Sequence, residues 1–391
     1  MKTLRRTWAE ISLDNLQHNY EAITAHLPQT TKLLGVVKAD AYGHGAVPVS
    51  GRLSELGCAY LAASNLEEAV QIRRGGVRTP VLILGYTPAE YADTMVFMDF
   101  TQEVHSLEYA RQLEERLSGT NYRLNVHIKL DTGMGRIGFL TETPSFEDEI
   151  KALSALSHLH FEGAFMHFCA ADSKAPEDVS FTKKQYERFQ NALQILKKHG
   201  ICPEITHCAN SGATLLYPEY AMDMARPGIA LYGCAPSKDC EGILPLRPVM
   251  SLRTTVAQIR TLPEGTSVSY GRTYTTEREM RVAVLPIGYA DGLPRKLSGS
   301  VSFFINGKAL PVLGRICMDM CMVDATNAPE LQVGDVLTLF GTDDGGTVRP
   351  IERLADGADT IQYELLCQVS KRIARRYFRD GHETEILQYI V

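Results

Sequence analysis

Through the first two-thirds of the chain, short apolar runs alternate with longer stretches in which apolar residues recur at helical spacing. The runs are Leu33 to Val37, Ala59 to Ala63, Val81 to Gly85, Thr101 to His105, Leu124 to Leu130, Gly163 to His167, Ile205 to Cys208 and Met224 to Ile229. They read as about eight strands, most ending in polar or glycine residues. Between them, Ser64 to Arg73, Ser106 to Leu117 and Val179 to His199 carry the amphipathic helical pattern. Strands separated by helices pair in parallel. Eight such units predict an N-terminal (β/α)8 barrel over residues 10–240, close to the usual size of about 250 residues. An open, doubly wound sheet is the structural alternative.

After about Cys240 the pattern changes. Met250 to Leu262, Met280 to Pro286, Val301 to Ile305, Ala309 to Leu313 and Val336 to Phe340 read as strands, several separated by turns such as Asn306-Gly307. This predicts a second, mostly β domain over residues 241–391, with a late helix from Thr360 to Arg376. Thr7 to Ile11 also reads as a strand. Periodicity does not say which domain it joins, and residues 1–9 are assigned to the β domain.

The chain has 391 residues, 45% of them hydrophobic and 22% charged, as a globular protein of two domains would. A net charge of -6 does not indicate a nucleic-acid partner. The cluster Lys371, Arg372, Arg375, Arg376 and Arg379 reads as a solvated helix face. The opening MKTLRRTWAEISLDNL has no apolar core of a signal peptide, and no run is long enough to span a bilayer. The nine cysteines hold no Cys-x-x-Cys pair; Cys317 and Cys321 lack neighbours that would complete a metal site. Reduced thiols in a cytoplasmic protein are expected.

Candidate chemistry collects where the barrel strands end. Lys38 follows strand one, Arg136 follows strand five in DTGMGR, and His167 ends strand six. Asn210 and Ser211 follow strand seven, and Arg226 lies in strand eight before Pro227, Gly228 and Ile229. Barrel enzymes place their sites at this rim, with phosphate often held by the loops after strands seven and eight. Ser211, Gly228 and Ile229 are therefore candidates for a phosphate cradle. Singly, each residue is a weak signal: a lone lysine is usually solvated and a lone histidine usually a satisfied polar residue. Their convergence on one rim carries the reading.

VVKADAYGHG, from Val36 to Gly45, resembles the cofactor-lysine signature of alanine racemases. The resemblance continues through DTGMGRIGF, Asn210-Ser211-Gly212, MARPGIALYG, VSYGRTY, PIGYADG, GRICMDM and IQYELLC, in order and over nearly the whole chain. KRIARRY departs from it at Ala374, where the family often has proline. The resemblance implies a homodimer with shared active sites and pyridoxal 5'-phosphate joined to Lys38. It implies phosphate contacts from Tyr42, Ser211, Gly228, Ile229 and Tyr363, with Asn210 beside them. Arg226 would face the pyridine nitrogen, and His167 would link it to Tyr270 of the partner subunit, the second base. Arg136 and Met318 of the partner subunit would hold the substrate carboxylate, with Tyr289 and Asp319 supporting.

Those roles imply interconversion of L- and D-alanine by two-base proton transfer, supplying D-alanine for peptidoglycan. Alternation along strand five directs His127, Lys129 and Asp131 into the barrel. Burial beside Arg136 would leave Lys129 neutral and able to form a carbamate, as the matching lysine does in many relatives; an unmodified lysine paired with Asp131 is the alternative. A serine or broad-specificity racemase, an amino-acid decarboxylase and a non-catalytic cofactor carrier are the competing functions. Tyr363 favours a small substrate.

Overall fold

The computed structural model describes residues 6–390, so the part of the expectation for residues 1–9 that concerns residues 1–5 lies outside the described residues. The chain divides into two compact units. One runs from Gln17 to Ala41 and from Ala46 to Leu246; the other takes the chain up to Leu16, the short segment Tyr42–Gly45 and everything from Arg247 onward.

The first unit holds eight parallel strands in chain order: Lys32–Val36, Tyr60–Ala63, Val81–Ile83, Phe100–Val104, Leu124–Asp131, Leu159–Phe165, Ile205–His207 and Met224–Ala225. Each pairs with the next up to the seventh, and the eighth pairs with the first. Asp223 N and Arg226 N donate to Thr206 O and Ala209 O, which closes the ring between the seventh and eighth. The fold is thus a (β/α)8 barrel and not an open sheet. Strands covered on both faces need continuous apolar runs, and Tyr60–Ala63 and Val81–Ile83 are buried at every position. The intervening helices are set by their caps. Asn65 Oδ1 accepts from Glu68 N ahead of Leu66–Arg74, and Ser106 Oγ accepts from Tyr109 N ahead of Leu107–Leu117.

The second unit is built on a mixed sheet. Its strand order is Gln258–Leu262, Met280–Leu285, Cys321–Asp324, Lys308–Leu313, Ser302–Ile305, Val336–Thr342, Met250–Thr255, Thr7–Ser12, Ala374–Arg379 and His382–Leu387. The opening strand pairs antiparallel with Met250–Thr255 and parallel with Ala374–Arg379, so it is a strand of this sheet.

Two expectations are corrected here. The run Met250 to Leu262 is two strands. Met250–Thr255 pairs with Val336–Thr342, and Gln258–Leu262 pairs with Met280–Leu285; the chain changes partners at Val256-Ala257. The late helix is Gln362–Gln368 alone, and residues 374–379 form a strand. Ile373, Arg375 and Tyr377 are buried while the residues between them are not, a period of two and not of 3.6. The basic cluster is therefore no solvated helix face. Arg375 is 1% exposed and donates to the carbonyls of Gly43, Val369, Ser370 and Ile373.

Candidate active site

Lys38 stands just beyond the first barrel strand, where the chain makes an uncommon turn. Ala39, Asp40, Ala41 and Tyr42 all have φ between 51° and 55°, followed by Gly43 at 79°. Left-handed backbone costs a non-glycine residue roughly 1–2 kcal/mol, so the turn must be held by its surroundings. Within the barrel unit, Ala39 N donates to Glu68 Oε1, Ala46 N to Asp40 Oδ1 and Ala41 N to Val37 O, each at 2.8 Å. Within the second unit, Arg375 Nε donates to Gly43 O at 3.0 Å and the Tyr377 hydroxyl to His44 O at 2.7 Å. A Cβ on Gly43 would collide with Leu366 O, so the position admits only glycine. Tyr42 is buried with its ring centroid 6.0 Å from that of Tyr363.

Around the barrel rim the charge is strongly positive. Arg226 is buried; its guanidinium donates to Met166 O at 2.7 Å, Cys208 O at 3.1 Å and His207 Nδ1 at 3.0 Å, and lies 3.4 Å from His167 Nδ1. Among the described residues no carboxylate pairs with it. Burial pushes Arg226 down to about 10, which leaves it charged at neutrality. His167 is pushed well below the usual imidazole range by burial, then by the charges of Lys129, Arg226, Arg136 and Lys38. A neutral His167 that accepts at Nδ1 has only an Nε2–H to offer, and is a donor there.

Lys129 is buried 4.2 Å above the centre of the Phe165 ring, and burial, Arg226 and Arg136 hold its ammonium well below the ordinary range. Arg226 thus acts on Lys129 beside Arg136, the neighbour named by sequence. Asp131, the expected partner of an unmodified lysine, instead accepts three backbone N–H groups of the DTGMGR loop at Oδ1, from Gly133, Met134 and Gly135. That loop presents Arg136 to solvent.

The expected phosphate cradle is partly occupied by its own hydrogen bonds. Ser211 Oγ accepts from Gly228 N at 2.8 Å and from Ala230 N at 3.4 Å. Asn210 caps Ser211–Leu216 through Ala213 N and donates to Phe168 O, tying two rim loops together. Ile229 is fully buried.

In the second unit, Tyr270 and Met318 are 69% and 53% exposed and line a hollow with Ser269, Cys317, Asp319 and Met320. Tyr289 N and Ala290 N donate to Cys317 O and Met318 O, which fixes this segment against the one bearing Tyr289. Asp319 pairs with Arg372 at 2.8 Å. Sequence reading missed the roles of His207 and Glu162 and placed Arg375 on a solvated face. His207 was legible only as the polar end of a short strand, and Glu162 carried no signal beyond its place in an apolar stretch.

Against known proteins, residues 11–236 match the family model for the alanine racemase N-terminal domain and residues 249–377 the model for the C-terminal domain. Alanine racemase 2 of Caldanaerobacter subterraneus subsp. tengcongensis is 41% identical over 99% of this chain and 98% of its own length. The alanine racemase of Clostridium novyi is 41% identical over all of both chains. The solved alanine racemase of Clostridium difficile 630 superposes with a TM-score of 0.93 at 37% identity, covering both chains completely. That of Bacillus anthracis, with bound L-Ala-P, gives 0.92 at 35% identity, covering 100% of this chain and 99% of that one. With both domains matched in order and a barrel rim that gathers lysine, arginine and histidine, this chain belongs to the alanine racemase family.

Proposed function

We propose that this protein interconverts L- and D-alanine with pyridoxal 5'-phosphate held at Lys38, as a cytoplasmic homodimer supplying D-alanine for peptidoglycan. The observation that carries the reading is the gathering of four basic side chains, Lys38, Lys129, Arg136 and the buried Arg226, around the buried His167. Such a set suits an anionic ligand, and an α-amino acid joined to a phosphorylated pyridine brings both a carboxylate and a phosphate. Arg226 supports the pairing, as a buried donor without a carboxylate partner suits a ring nitrogen that accepts. When bound, the cofactor acidifies the α-proton by delocalising the negative charge left on carbon.

The chain's own residues divide the rest of the work. Lys38 Nζ moves the α-proton on one face, and the hydroxyl of Tyr270 of the partner subunit moves it on the other. His167, donating from Nε2, favours the phenolate of that tyrosine. Arg226 remains a donor and cannot hand a proton to the pyridine nitrogen. This keeps the charge on the α-carbon short-lived, which favours reprotonation there over side reactions. Arg136 and Met318 of the partner subunit hold the carboxylate, with Tyr289 and Asp319 shaping that wall. Tyr42, Ser211, Gly228, Ile229 and Tyr363 hold the phosphate, Ser211 exchanging its internal acceptor role for a donor role, with Asn210 bracing the loop. The exposure of Tyr270 and Met318 supports their use across a subunit interface. A neutral Lys129 amine beside two guanidinium groups supports its conversion by carbon dioxide to a carbamate that orients Arg136.

Borohydride reduction of the purified protein followed by peptide mass spectrometry tests the assignment. The pyridoxyl label is expected on Lys38, and a label on another lysine overturns it. Deuterium entry into alanine from heavy water separates a racemase from a carrier.

A further inference from the structure

Below Arg226 the barrel interior carries polar side chains where such barrels ordinarily hold branched apolar ones. His207 Nε2 lies 2.8 Å from His127 Nδ1, and His127 Nε2 lies 3.4 Å from Glu162 Oε2. The Tyr60 hydroxyl donates to Glu162 Oε1 at 2.6 Å, and Thr101 Oγ1 to Glu162 Oε2 at 3.2 Å. Tyr60 opens the second barrel strand and Thr101 stands near the start of the fourth, whereas His207 ends the seventh and Arg226 follows the eighth. The column therefore spans the barrel from its N-terminal end to its rim. Both imidazoles have 0% exposure. The His207 ring stacks on Phe165, with centroids 4.8 Å apart and planes 2° from parallel. A Cβ at Gly163 would come within 2.5–2.6 Å of three His127 ring carbons, so the backbone there is shaped around that ring.

The proton positions along the column follow from its ends. Arginine has only donors, so His207 Nδ1, 3.0 Å from Arg226 Nη1, must be bare. A neutral His207 then carries its proton on Nε2, and His127 Nδ1 must accept it. That puts the His127 proton on Nε2, facing the carboxylate of Glu162. The last step is long for a hydrogen bond, yet its sign is fixed, because a bare Nε2 would set a lone pair against an anion. We propose that Glu162 is a positioning residue that, through His127, fixes the tautomer of His207 and so the seat of the Arg226 guanidinium. Burial keeps both imidazoles below their usual range and therefore neutral. Burial also pushes Glu162 up, but the His127 ring and the Tyr60 hydroxyl facing it outweigh that and hold the carboxyl down to about 2.

The consequence for the reaction rests on the reading that Arg226 meets the cofactor ring; the tautomer assignment does not. Neutron diffraction from the cofactor-loaded protein in heavy water reads the relay directly. Deuterium is expected on Nε2 of both His207 and His127, with both Nδ1 atoms bare; deuterium on either Nδ1 overturns the proposal. Glu162→Gln offers His127 an amide that can donate, so both rings can turn their protons over and Arg226 loses its acceptor at His207 while keeping those at Met166 and Cys208. The expected result is a shifted visible absorption of the bound cofactor and a kcat about tenfold lower, with KM for alanine little changed. A folded Glu162→Gln protein with the parent absorption and kcat overturns the positioning role. Should that variant not fold, Glu162→Asp keeps the charge but draws it further from His127. Its absorption should shift the same way, and an unshifted spectrum has the same adverse meaning. Absence of a borohydride label on Lys38 would instead defeat the cofactor reading and leave the neutron result standing.

Discussion

Replacing Arg375 by methionine removes a buried cation while nearly conserving volume. The guanidinium donates at 3.0 Å to Gly43 O and at 2.6 Å to each of Val369 O, Ser370 O and Ile373 O. Ser370 O keeps Ile373 N as a donor, but a buried carbonyl that loses its donor costs about 1–3 kcal/mol. Release of the arginine from burial offsets part of that loss. The net destabilisation is then about 3 kcal/mol, a fall of roughly 6–12 °C in Tm for a unit of this size. Differential scanning calorimetry of the purified protein measures it. Hydrogen exchange should show amides of residues 42–45 deprotected in the same variant, since Gly43 O loses its anchor. Lys371→Ala, at an exposed position, should move Tm by no more than about 1–2 °C. If Arg375→Met melted within that same narrow range, the carbonyls would find other donors and the buried guanidinium would contribute no net stability.

Further outcomes follow from the barrel interior and the rim. Gly163→Ala forces its new methyl against His127 and should cost about 1–3 kcal/mol, read by urea denaturation. Lys129→Ala should raise KM for alanine through a mobile Arg136 while the cofactor stays bound, and crystal density at Lys129 should end in a carbamate; a bare amine defeats that assignment. Tyr270→Ala should make the isotope effects on the two directions of racemisation unequal, and equal effects would reduce Tyr270 to a wall of the pocket. Mixed dimers of Lys38→Ala and Tyr270→Ala subunits should regain one working site. His127, His167 and His207 have folded pKa values below the unfolded value of about 6.5, so the unfolded chain binds more protons in acid. Stability should therefore be full above pH ~6.5 and fall below it, by roughly 1.4 kcal/mol per pH unit for each histidine. The depressed Glu162 withdraws its own contribution only lower, from about pH 4.3 towards 2.

Strand ends announce themselves in a sequence because an apolar run stops at a polar residue, which is why Lys38, His167 and Arg226 were legible as a set. The column beneath them was not, because its contacts join residues far apart: His127 and His207 are separated by 80 positions. Alternation in the fifth strand did direct His127 and Lys129 inward, but no local pattern says what an inward side chain meets. Arg375 was misread because a charged residue is normally outside; only the paired strands reveal that its alternation partners, Ile373 and Tyr377, are core. The turn after Lys38 was also hidden. Ala39 and Ala41 have no preference for left-handed backbone, a single Asp40 between them is too weak a signal for four such residues in a row, and tertiary contacts override the local tendency.

That left-handed turn also bears on the order in which the chain can be completed. Its conformation is uphill for an isolated peptide, so it cannot act as an early seed of structure. Its first part, Ala39 to Ala41, needs Glu68 and Ala46 in place, and its last part, Tyr42 to Gly45, needs Arg375 and Tyr377. Arg375 and Tyr377 lie more than three hundred residues further along the chain, so the barrel strands are all made before these two anchors of Gly43 and His44 exist. The segment from Tyr42 to Gly45 therefore takes its lasting shape only once Tyr377 has been made. A fragment that stops at Leu246 should assemble strands and helices yet leave the segment beyond Lys38 without its lasting shape.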